Sequence, residues 1–366
     1  MGKKIRVAVL FGGKSGEHDV SLSSAASVIK AIDPEKYEVI PIGITREGHF
    51  NPGKRSLPML QGKLEPEKIE QIGSNLPQVV EDAGTDLDFF GPGKIDVVFP
   101  VLHGTFGEDG TIQGMMEIAQ IPYVGAGVLA SAVGMDKEFS KKVFAVEGLP
   151  QAKYLAFLKS GWAKRKEEWI AKIEEELGYP CFVKPANLGS SVGISKVKKR
   201  DELIEAVELA GQFDRKIIVE EFIPAHEVEV AVLGNDEPKA SVPGEIVSSN
   251  EFYDYRAKYV DGKSVMRIPA DLPGEVAEKL RDLAIRAFRA IDCSGLARVD
   301  FFIRKDNGEV LINEINTMPG FTPFSMYAKL WEHSGISYSE LISRLIELAL
   351  ERFEEKKNLI TSFEVK

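Results

Sequence analysis

Residues 296–316 leave the chain little freedom in how it pairs. Two apolar segments, 296–303 and 310–315, flank Asp306-Asn307-Gly308, a strong turn signal for an antiparallel hairpin. With the turn centred on Asn307, cross-strand partners have numbers that sum to 614. Asp300 then faces Glu314 and Arg298 faces Asn316, and because side chains alternate along a strand, all four project from one face. Like charges directly opposite each other destabilise a sheet. An Asp–Glu pair beside an Asn, within apolar strands, therefore calls for a cation. Oxygen-only ligands suit Mg²⁺, which keeps several waters and is shared with substrate phosphates. Two other readings stand beside this one: solvated carboxylates at a sheet edge and a glycosidase acid/base pair. Phosphate-binding features elsewhere in the chain favour the metal.

The rest of the chain reads as α/β. Residues 5–11 form a near-continuous apolar run, as expected of a parallel strand covered on both faces. The run enters Gly12-Gly13-Lys14-Ser15-Gly16 and then a helix expected to begin near Ser21, with Leu22, Ala25, Ala26 and Ile29 as its apolar stripe. Residues 37–44 and 95–102 read as further strands, and 51–94 as a variable connection with one helix. From about residue 126 the pattern changes. Asp136 is placed to cap a helix carrying Phe139, Val143 and Phe144, ending at Gly148-Leu149-Pro150, after which a small α+β unit follows. From residue 216 the chain is strand-rich, with a polar aromatic loop at 248–268, a helix over 275–291, the hairpin and two terminal helices. The expected division is 1–125, 126–215 and 216–366.

A length of 366 residues accommodates two or three domains. The formal net charge of −10 argues against nucleic-acid polymers as partners, because phosphate backbones need a basic surface. It leaves room for a local basic pocket. The two cysteines, Cys181 and Cys293, have no metal-binding or redox spacing, which points to a reducing compartment. At the N-terminus the apolar run is too short for a secretory signal, and Arg6 stands where myristoylation needs Ser or Thr. No stretch approaches the ~20 apolar residues of a membrane span. A cytoplasmic protein with no membrane association is expected.

Two loops are suited to small anionic or zwitterionic ligands. Lys184-Pro185-Ala186-Asn187-Leu188-Gly189-Ser190-Ser191-Val192-Gly193 lies between two expected strands. Its glycines let backbone N–H groups converge on an anion, its serines add hydroxyls, and Lys184 adds a fixed charge. The pattern is neither a P-loop nor a dinucleotide fingerprint, and such a loop also serves as an ordinary turn. Its company gives it meaning: a strand lysine before it and a metal hairpin after it. Gly12–Gly16 follows the first strand, where ligands collect in open α/β sheets. It leads to Glu17, His18 and Asp19, polar groups better suited to an amino acid than to a pyrophosphate. His103-Gly104, with Glu108-Asp109-Gly110, ends a neighbouring strand and can face the same crevice; a solvated loop histidine is the alternative.

Taken together, these segments resemble the D-alanine–D-alanine ligases of the ATP-grasp superfamily. The matching pieces are Phe11-Gly12-Gly13 through Ser21, Leu102-His103-Gly104 through Thr111, Met135-Asp136-Lys137, the Lys184–Gly193 loop, Tyr253-Asp254-Tyr255 with Lys258-Tyr259, and Asn313-Glu314-Ile315-Asn316-Thr317 with Pro319-Gly320. They occur in family order over nearly the whole chain. The resemblance implies a three-domain ATP-grasp architecture, with ATP between the second and third domains and two D-alanines where all three meet. Lys137 and Lys184 match lysines that contact ATP phosphates, and Ser191 joins them. Glu220, Glu221, Phe222 and Ile223 match the adenine-binding linker, and Glu227 a ribose ligand. Asp300, Glu314 and Asn316 match the ligands of two Mg²⁺ ions, with Mn²⁺ as an alternative. Glu17 matches the residue that holds the first D-alanine's ammonium, and Ser190 and Tyr259 form a hydrogen-bonded group with it. Arg298, Lys258, Gly320 and Ser325 match groups around the reacting carboxylate, the phosphate and the second D-alanine; His103 and Met326 complete the substrate side.

The implied chemistry is activation of one D-alanine carboxylate by ATP to an acyl phosphate, attack by the second D-alanine's amine, and release of ADP, phosphate and D-alanyl-D-alanine for peptidoglycan synthesis. The 248–268 loop is the expected lid that excludes water. The resemblance also implies a homodimer. A D-alanine–D-lactate ligase is the nearest rival, and Tyr259 and Met326 match the dipeptide-forming pattern instead. A non-catalytic nucleotide-binding module is the rival from another class; the presence of Arg298, Asp300, Glu314, Asn316 and Tyr259 argues against it.

Overall fold

The computed structural model describes residues 3–76, 93–189, 192–247 and 265–360. Ser190, Ser191, Tyr253, Tyr255, Lys258 and Tyr259, and with them most of the expected lid, lie outside the described residues.

Strand β1 (Ile5–Gly12) leads into α1 (His18–Ala31), β2 (Tyr37–Ile44), β3 (Phe50–Pro52), α2 (Pro66–Asn75) and β4 (Val97–Pro100). These strands form a sheet of order β3-β2-β1-β4, with β1 parallel to both neighbours. Central placement explains the unbroken apolar run of β1, which is buried from its second residue onward. Helix α1 begins three residues earlier than expected. The hydroxyl of Ser21 accepts from the Gly12 N–H at 2.8 Å and donates to the Val101 carbonyl. It ties the turn after β1 to the loop after β4.

Helices α3 (Thr111–Ala119), α4 (Val128–Met135) and α5 (Lys137–Val146) follow. The carboxylate of Asp136 caps α5 by accepting from the N–H groups of Glu138 and Phe139, both at 3.1 Å, as the N-cap role of Asp predicts.

The second sheet is built from β5 (Tyr154–Leu158), β6 (Cys181–Pro185), β7 (Ser195–Val197) and β8 (Lys216–Glu221), with α6 (Lys159–Lys164), α7 (Lys166–Glu176) and α8 (Arg200–Phe213) between them. Its order is β5-β8-β6-β7. Sheet membership thus departs from the division expected at 215/216, because β8 is hydrogen-bonded between β5 and β6. Ile217, Ile218 and Val219 are all fully buried, and a run that is apolar on both faces belongs in the interior of a sheet. Helices α4 and α5 cross the expected boundary the other way: Ala130 and Phe144 pack into the core of the third sheet.

That sheet contains β9 (Ala225–Gly234), β10 (Lys239–Ala240), β11 (Gly244–Val247), β12 (Val265–Arg267), β13 (Gly295–Arg304) and β14 (Val310–Asn316). The strand path is β12-β11-β9-β13-β14, with β10 beside β9. Helix α9 (Gly274–Ala290) covers one face. Its Leu280, Leu283, Ala284, Ala287 and Phe288 repeat at helical spacing and meet Val228, Val230, Val232, Val299 and Phe301. On the other face the chemistry changes along the strands. The pair Leu233–Leu296 is buried in apolar company, Ala231 pairs with Arg298, and Glu229 pairs with Asp300.

The apolar half of that face is covered by α10 (Met326–His333) and α11 (Tyr338–Lys357). The same cluster takes in Val7, Val9 and Phe11 of β1 and Leu341, Leu345 and Ile346 of α11, so the first sheet and the last helices share one core. Phe321 sits at its centre, with ring centroids 5.6 Å from Phe99, 5.9 Å from Tyr327 and 5.6 Å from Tyr338.

The β13–β14 hairpin pairs Arg298 with Asn316 and Asp300 with Glu314, as expected. The path to that register differs. Nearer the turn the pairs are Phe301–Ile312, Phe302–Leu311 and Ile303–Val310, one position out of step, and a bulge between Asp300 and Phe301 inserts Asn313 into β14. Extra residues of this kind recur beside functional sites, where they re-aim side chains.

Truncation of Phe321 removes a fully buried ring from the core that joins the two ends of the chain. Phe321→Ala is expected to destabilise the fold by about 3–5 kcal/mol, read as a lower urea midpoint. A loss below about 1 kcal/mol would mean that the first sheet and the terminal helices do not depend on this shared packing.

Candidate active site

The charged half of the β9–β13–β14 face opens into a cleft of about 540 Å³. Glu17, His103, Arg298, Glu314, Asn316, Gly320, Ser325 and Met326 all line it, although they come from positions more than 300 residues apart. Alternation and register place the core of the site. Glu229, Asp300 and Glu314 stand in one row across three neighbouring strands. Arg298 lies beside the row. Its Nε and Nη2 each donate to one Asp300 oxygen at 2.7 Å, and its Nε lies 3.0 Å from Glu229 Oε2. Burial opposes the guanidinium charge, but Asp300 and Glu229 more than offset it, and the group is held well above its ordinary pKa. Asn316 accepts from the Met318 N–H at 3.0 Å.

A second charged cluster lies where α5 meets the second sheet. Lys141 Nζ is 3.1 Å from Glu220 Oε1, and Lys184 Nζ donates to Oε2 of the same carboxylate. Burial alone would raise the Glu220 pKa; Lys141 and Lys184 overcome it and pull the value down to about 2. Lys137, one helical turn before Lys141, donates to the Leu188 carbonyl at 2.6 Å and lies 3.9 Å from Glu314. That ion pair joins the two clusters. Lys184 also feels Glu314 and Glu227, and its pKa is raised despite burial.

The loop after β1 and the loop after β4 close the third side. Glu17 stands just before α1, where Ser15 Oγ accepts from its N–H at 2.9 Å. Its carboxylate is wedged between two glycines: a Cβ on Gly104 or on Gly189 would come within 2.9 Å of Glu17 Oε2. Gly104 also has φ +75°, a conformation that favours glycine. His103 is buried rather than solvated. Burial lowers its pKa against the opposing pull of Glu17 and the Met318 carbonyl. A neutral ring fits its partners, with Nδ1 donating to Met318 O and Nε2 accepting from the Ser24 hydroxyl, both at 3.1 Å.

Gly320 and Ser325 belong to the turn that leads into α10. Ser325 Oγ accepts from the Thr322 N–H at 3.1 Å, and a Cβ on Gly320 would approach that oxygen to 3.3 Å. Met326 is buried at the start of α10.

The linker residues divide. Glu220 joins the lysine cluster. Glu221 accepts from the Lys153 N–H at 2.8 Å and pairs with Arg304 at 3.3 Å. Phe222 packs near Phe182 and lies under Lys196 Nζ, 3.9 Å from its ring centre. Ile223 is buried with Ala152 and Leu311. Glu227 shares the sheet face of Glu229 and pairs with Phe302.

Three further residues of the site were not singled out from sequence. Glu229 was legible in the alternation Glu227-Val228-Glu229-Val230, which puts it on the same face as Glu227. Lys141 follows Lys137 by four residues, the spacing of one helix face. Glu108 was noted only as part of its loop. Its carboxylate accepts from the Gly104 N–H at 2.7 Å, and burial next to Glu17 drives its pKa well above the ordinary value.

The donor set at the row suits a hard cation. Among the described residues no group of three His, Cys, Asp or Glu is arranged to hold a metal by itself. Asp300, Glu314 and Asn316 present oxygen ligands on adjacent strands, and phosphate and water oxygens complete such a shell in Mg²⁺ sites. Engagement of Asp300 by a metal would draw on the carboxylate now held by Arg298.

Two family models match the chain: the D-ala D-ala ligase N-terminus over residues 6–126 and the D-ala D-ala ligase C-terminus over residues 143–347. A D-alanine–D-alanine ligase of Natranaerobius thermophilus is 53% identical over 362 residues, covering 99% of each chain. One from Geobacillus thermodenitrificans is 55% identical over 367 residues, covering 99% of this chain and 100% of the relative. Among solved structures, the D-alanine–D-alanine ligase of Coxiella burnetii superposes with a TM-score of 0.79 at 34% identity, covering 97% of both chains. The D-Ala:D-Ser ligase VanG of Enterococcus faecalis superposes with a TM-score of 0.79 at 38% identity, covering 95% of this chain and 100% of that one.

The Glu220 cluster generates a pH prediction. Its pKa lies near 2 in the fold against 4.5 for the free side chain, so the unfolded chain binds the proton more readily. The stability contributed is full above about pH 4.5 and is lost as pH falls toward 2. Glu220→Gln is expected to destabilise the protein at pH 7 by about 3–5 kcal/mol, because it leaves Lys141 buried without its counter-charge. It should also flatten the loss of stability between pH 5 and 3. Urea unfolding of both proteins across that range checks it; parallel curves would contradict the assignment.

Proposed function

The chain belongs to the D-alanine–D-alanine ligase family, and on that premise we propose how its cleft carries out the ATP-dependent joining of two D-alanines. The reaction yields D-alanyl-D-alanine, ADP and phosphate. The observation that carries the reading is the row Glu229–Asp300–Glu314 with Arg298 beside it, facing Glu17 and His103 across one cleft. The lysines about Glu220 mark a phosphate end, and Glu17 marks an amino-acid end.

At the amino-acid end, Glu17 receives the ammonium of the first D-alanine. The glycines on either side leave room for that carboxylate and no side chain of their own. At the phosphate end, Lys137 and Lys184 hold the phosphates of ATP, with Ser191 beside them, while Glu220, Glu221, Phe222 and Ile223 receive the adenine and Glu227 the ribose. Asp300, Glu314 and Asn316 would hold two Mg²⁺ ions, or Mn²⁺ in their place. When bound, these ions neutralise charge on the transferring phosphoryl group. Transfer of the γ-phosphoryl group to the first D-alanine gives the acyl phosphate. Arg298 and the backbone N–H of Gly320 then stabilise the tetrahedral oxyanion formed when the second amine attacks. Ser325 and Met326 border the second D-alanine, and His103, neutral and fixed by Ser24 and Met318, shapes the same crevice. Ser190, Tyr259 and Lys258 complete the proposed site, and 248–268 is its proposed lid.

The division into residues 1–125, 126–215 and 216–366 is retained as a proposal, with β8 transferred to the second unit on the strength of its hydrogen bonds. A homodimer in the cytoplasm is the proposed state. Among the described residues no helix is long and apolar enough to cross a membrane.

Phosphate release from ATP and Mg²⁺ is expected with D-alanine and not with L-alanine. D-Serine and D-lactate as second substrates test the acceptor side, and a dominant D-lactate product at neutral pH would overturn the dipeptide reading. Glu314→Ala should nearly abolish turnover; near-normal phosphate release at saturating Mg²⁺ would sink the metal role. Arg298→Lys keeps the charge but loses the fork that reaches two oxygens. It should lower kcat by about 10²–10³-fold with a smaller change in KM for D-alanine. An effect confined to KM would remove Arg298 from oxyanion stabilisation.

A further inference from the structure

Lys141 has no place in the proposed chemistry, yet it is one of the largest fully buried side chains of the protein. Only 2% of its side chain is exposed, against 11% for Lys184. It rises from α5 one turn beyond Lys137 and ends 3.1 Å from Glu220 Oε1, with its ammonium 5.6 Å from the centre of the Tyr154 ring. Lys184 holds the other oxygen of the same carboxylate. Glu220 lies on β8, paired with Tyr154 on one side and Phe182 on the other, so it has little room to move.

Two lysines on one carboxylate are not equivalent when a nucleotide arrives. Lys184 is the less buried of the two and is the proposed phosphate contact, whereas Lys141 is too deeply buried to reach a ligand. Recruitment of Lys184 by phosphate leaves Glu220 Oε2 open for the nucleobase and leaves Lys141 as the buried counter-charge on that carboxylate. An ionised carboxylate only accepts hydrogen bonds, whereas a protonated one also donates. Adenine presents an amino donor at its 6-position; guanine presents an oxo acceptor there. We propose that Lys141 is a positioning residue for nucleotide choice: it keeps Glu220 an acceptor-only group after Lys184 turns to the phosphates, and so favours ATP over GTP. This rests on the reading of Glu220 as an adenine contact.

Without Lys141, the exchange of Lys184 from carboxylate to phosphate strands a buried charge. Nucleotide binding must then either leave Lys184 on Glu220 or protonate the carboxylate, and the second outcome admits a 6-oxo base. Lys141 therefore couples phosphate binding to base recognition through Lys184 and Glu220.

Phosphate release with D-alanine and Mg²⁺, measured with ATP and GTP on the wild type, Lys141→Met, Glu220→Gln and the double variant, tests this. Lys141→Met should raise KM for ATP by about tenfold or more while kcat stays within about threefold, and should cut the ATP-over-GTP preference in kcat/KM by about tenfold. In the Glu220→Gln background, Lys141→Met should change that preference by less than about twofold, because its effect passes through the carboxylate. The double variant removes Lys141 together with its counter-charge, and Lys141→Arg, which keeps the charge, should retain the wild-type preference; a reduced preference there would count against the proposal even where Lys141→Met does not fold. A wild-type preference in Lys141→Met, alongside a reduced one in Glu220→Gln, would overturn the role of Lys141 alone. An unchanged preference in Glu220→Gln would instead overturn the adenine contact on which it rests. A further change in the double variant beyond about twofold would show that Lys141 acts by another route, against the proposal.

Discussion

Side-chain alternation on β13 is the constraint on which the molecule depends. One face of this strand must be apolar to hold α9, so Ala297, Val299 and Phe301 are buried against its helical stripe. The other face begins apolar at Leu296, under α10 and α11, and turns charged at Arg298 and Asp300. A single strand thus anchors two cores and a reactive row. Neighbours β9 and β14 extend the row with Glu229 and Glu314 because a sheet places paired residues on the same side.

Charge across the hairpin face and the neighbouring lysine cluster is segregated by sign rather than set in isolated pairs. Carboxylates crowd the hairpin end, where Arg298 offsets part of their repulsion. Lysines crowd the end near α5, where Glu220 offsets part of theirs. Lys137 and Glu314, 3.9 Å apart, stand at the junction. A triphosphate with bound cations has the same layout in reverse, with negative oxygens for the lysines and positive ions for the carboxylates. The whole-chain charge of −10 says little about such a site, because opposite signs are segregated over a few ångströms.

Much of this was legible in the sequence where a physical rule forces the outcome. The run at residues 5–11 had to be a central strand, and Asp136 had to cap a helix. The pairing of Asp300 with Glu314 was read correctly from a turn centred on Asn307, but the turn itself sets a register one step away, and the bulge restores the pairing. Bulges leave no reliable mark in an apolar segment. The start of α1 was placed three residues late, because the polar run Glu17-His18-Asp19 looks like loop in the sequence although His18 already opens the helix. The pairing of β8 with β5 and β6, across the expected division at 215/216, was not legible because sheet membership depends on partners distant in the chain. Lys141 and Glu229 were passed over because a lone lysine or glutamate is ordinarily solvated, and only burial reveals otherwise.

The core shared between β1 and α11 has a consequence for synthesis. The first sheet emerges from the ribosome long before Phe321, Leu341 and Ile346, which complete its packing. At elongation rates of about 5–20 residues per second, the interval is on the order of ten to fifty seconds. Throughout it, Val7, Val9 and Phe11 lack the part of their apolar cluster that Phe321 and α11 supply. The nascent chain therefore carries an incomplete N-terminal sheet that its own last helices must seal, and its need for protection during translation is set by the distance between its ends rather than by the stability of the finished enzyme.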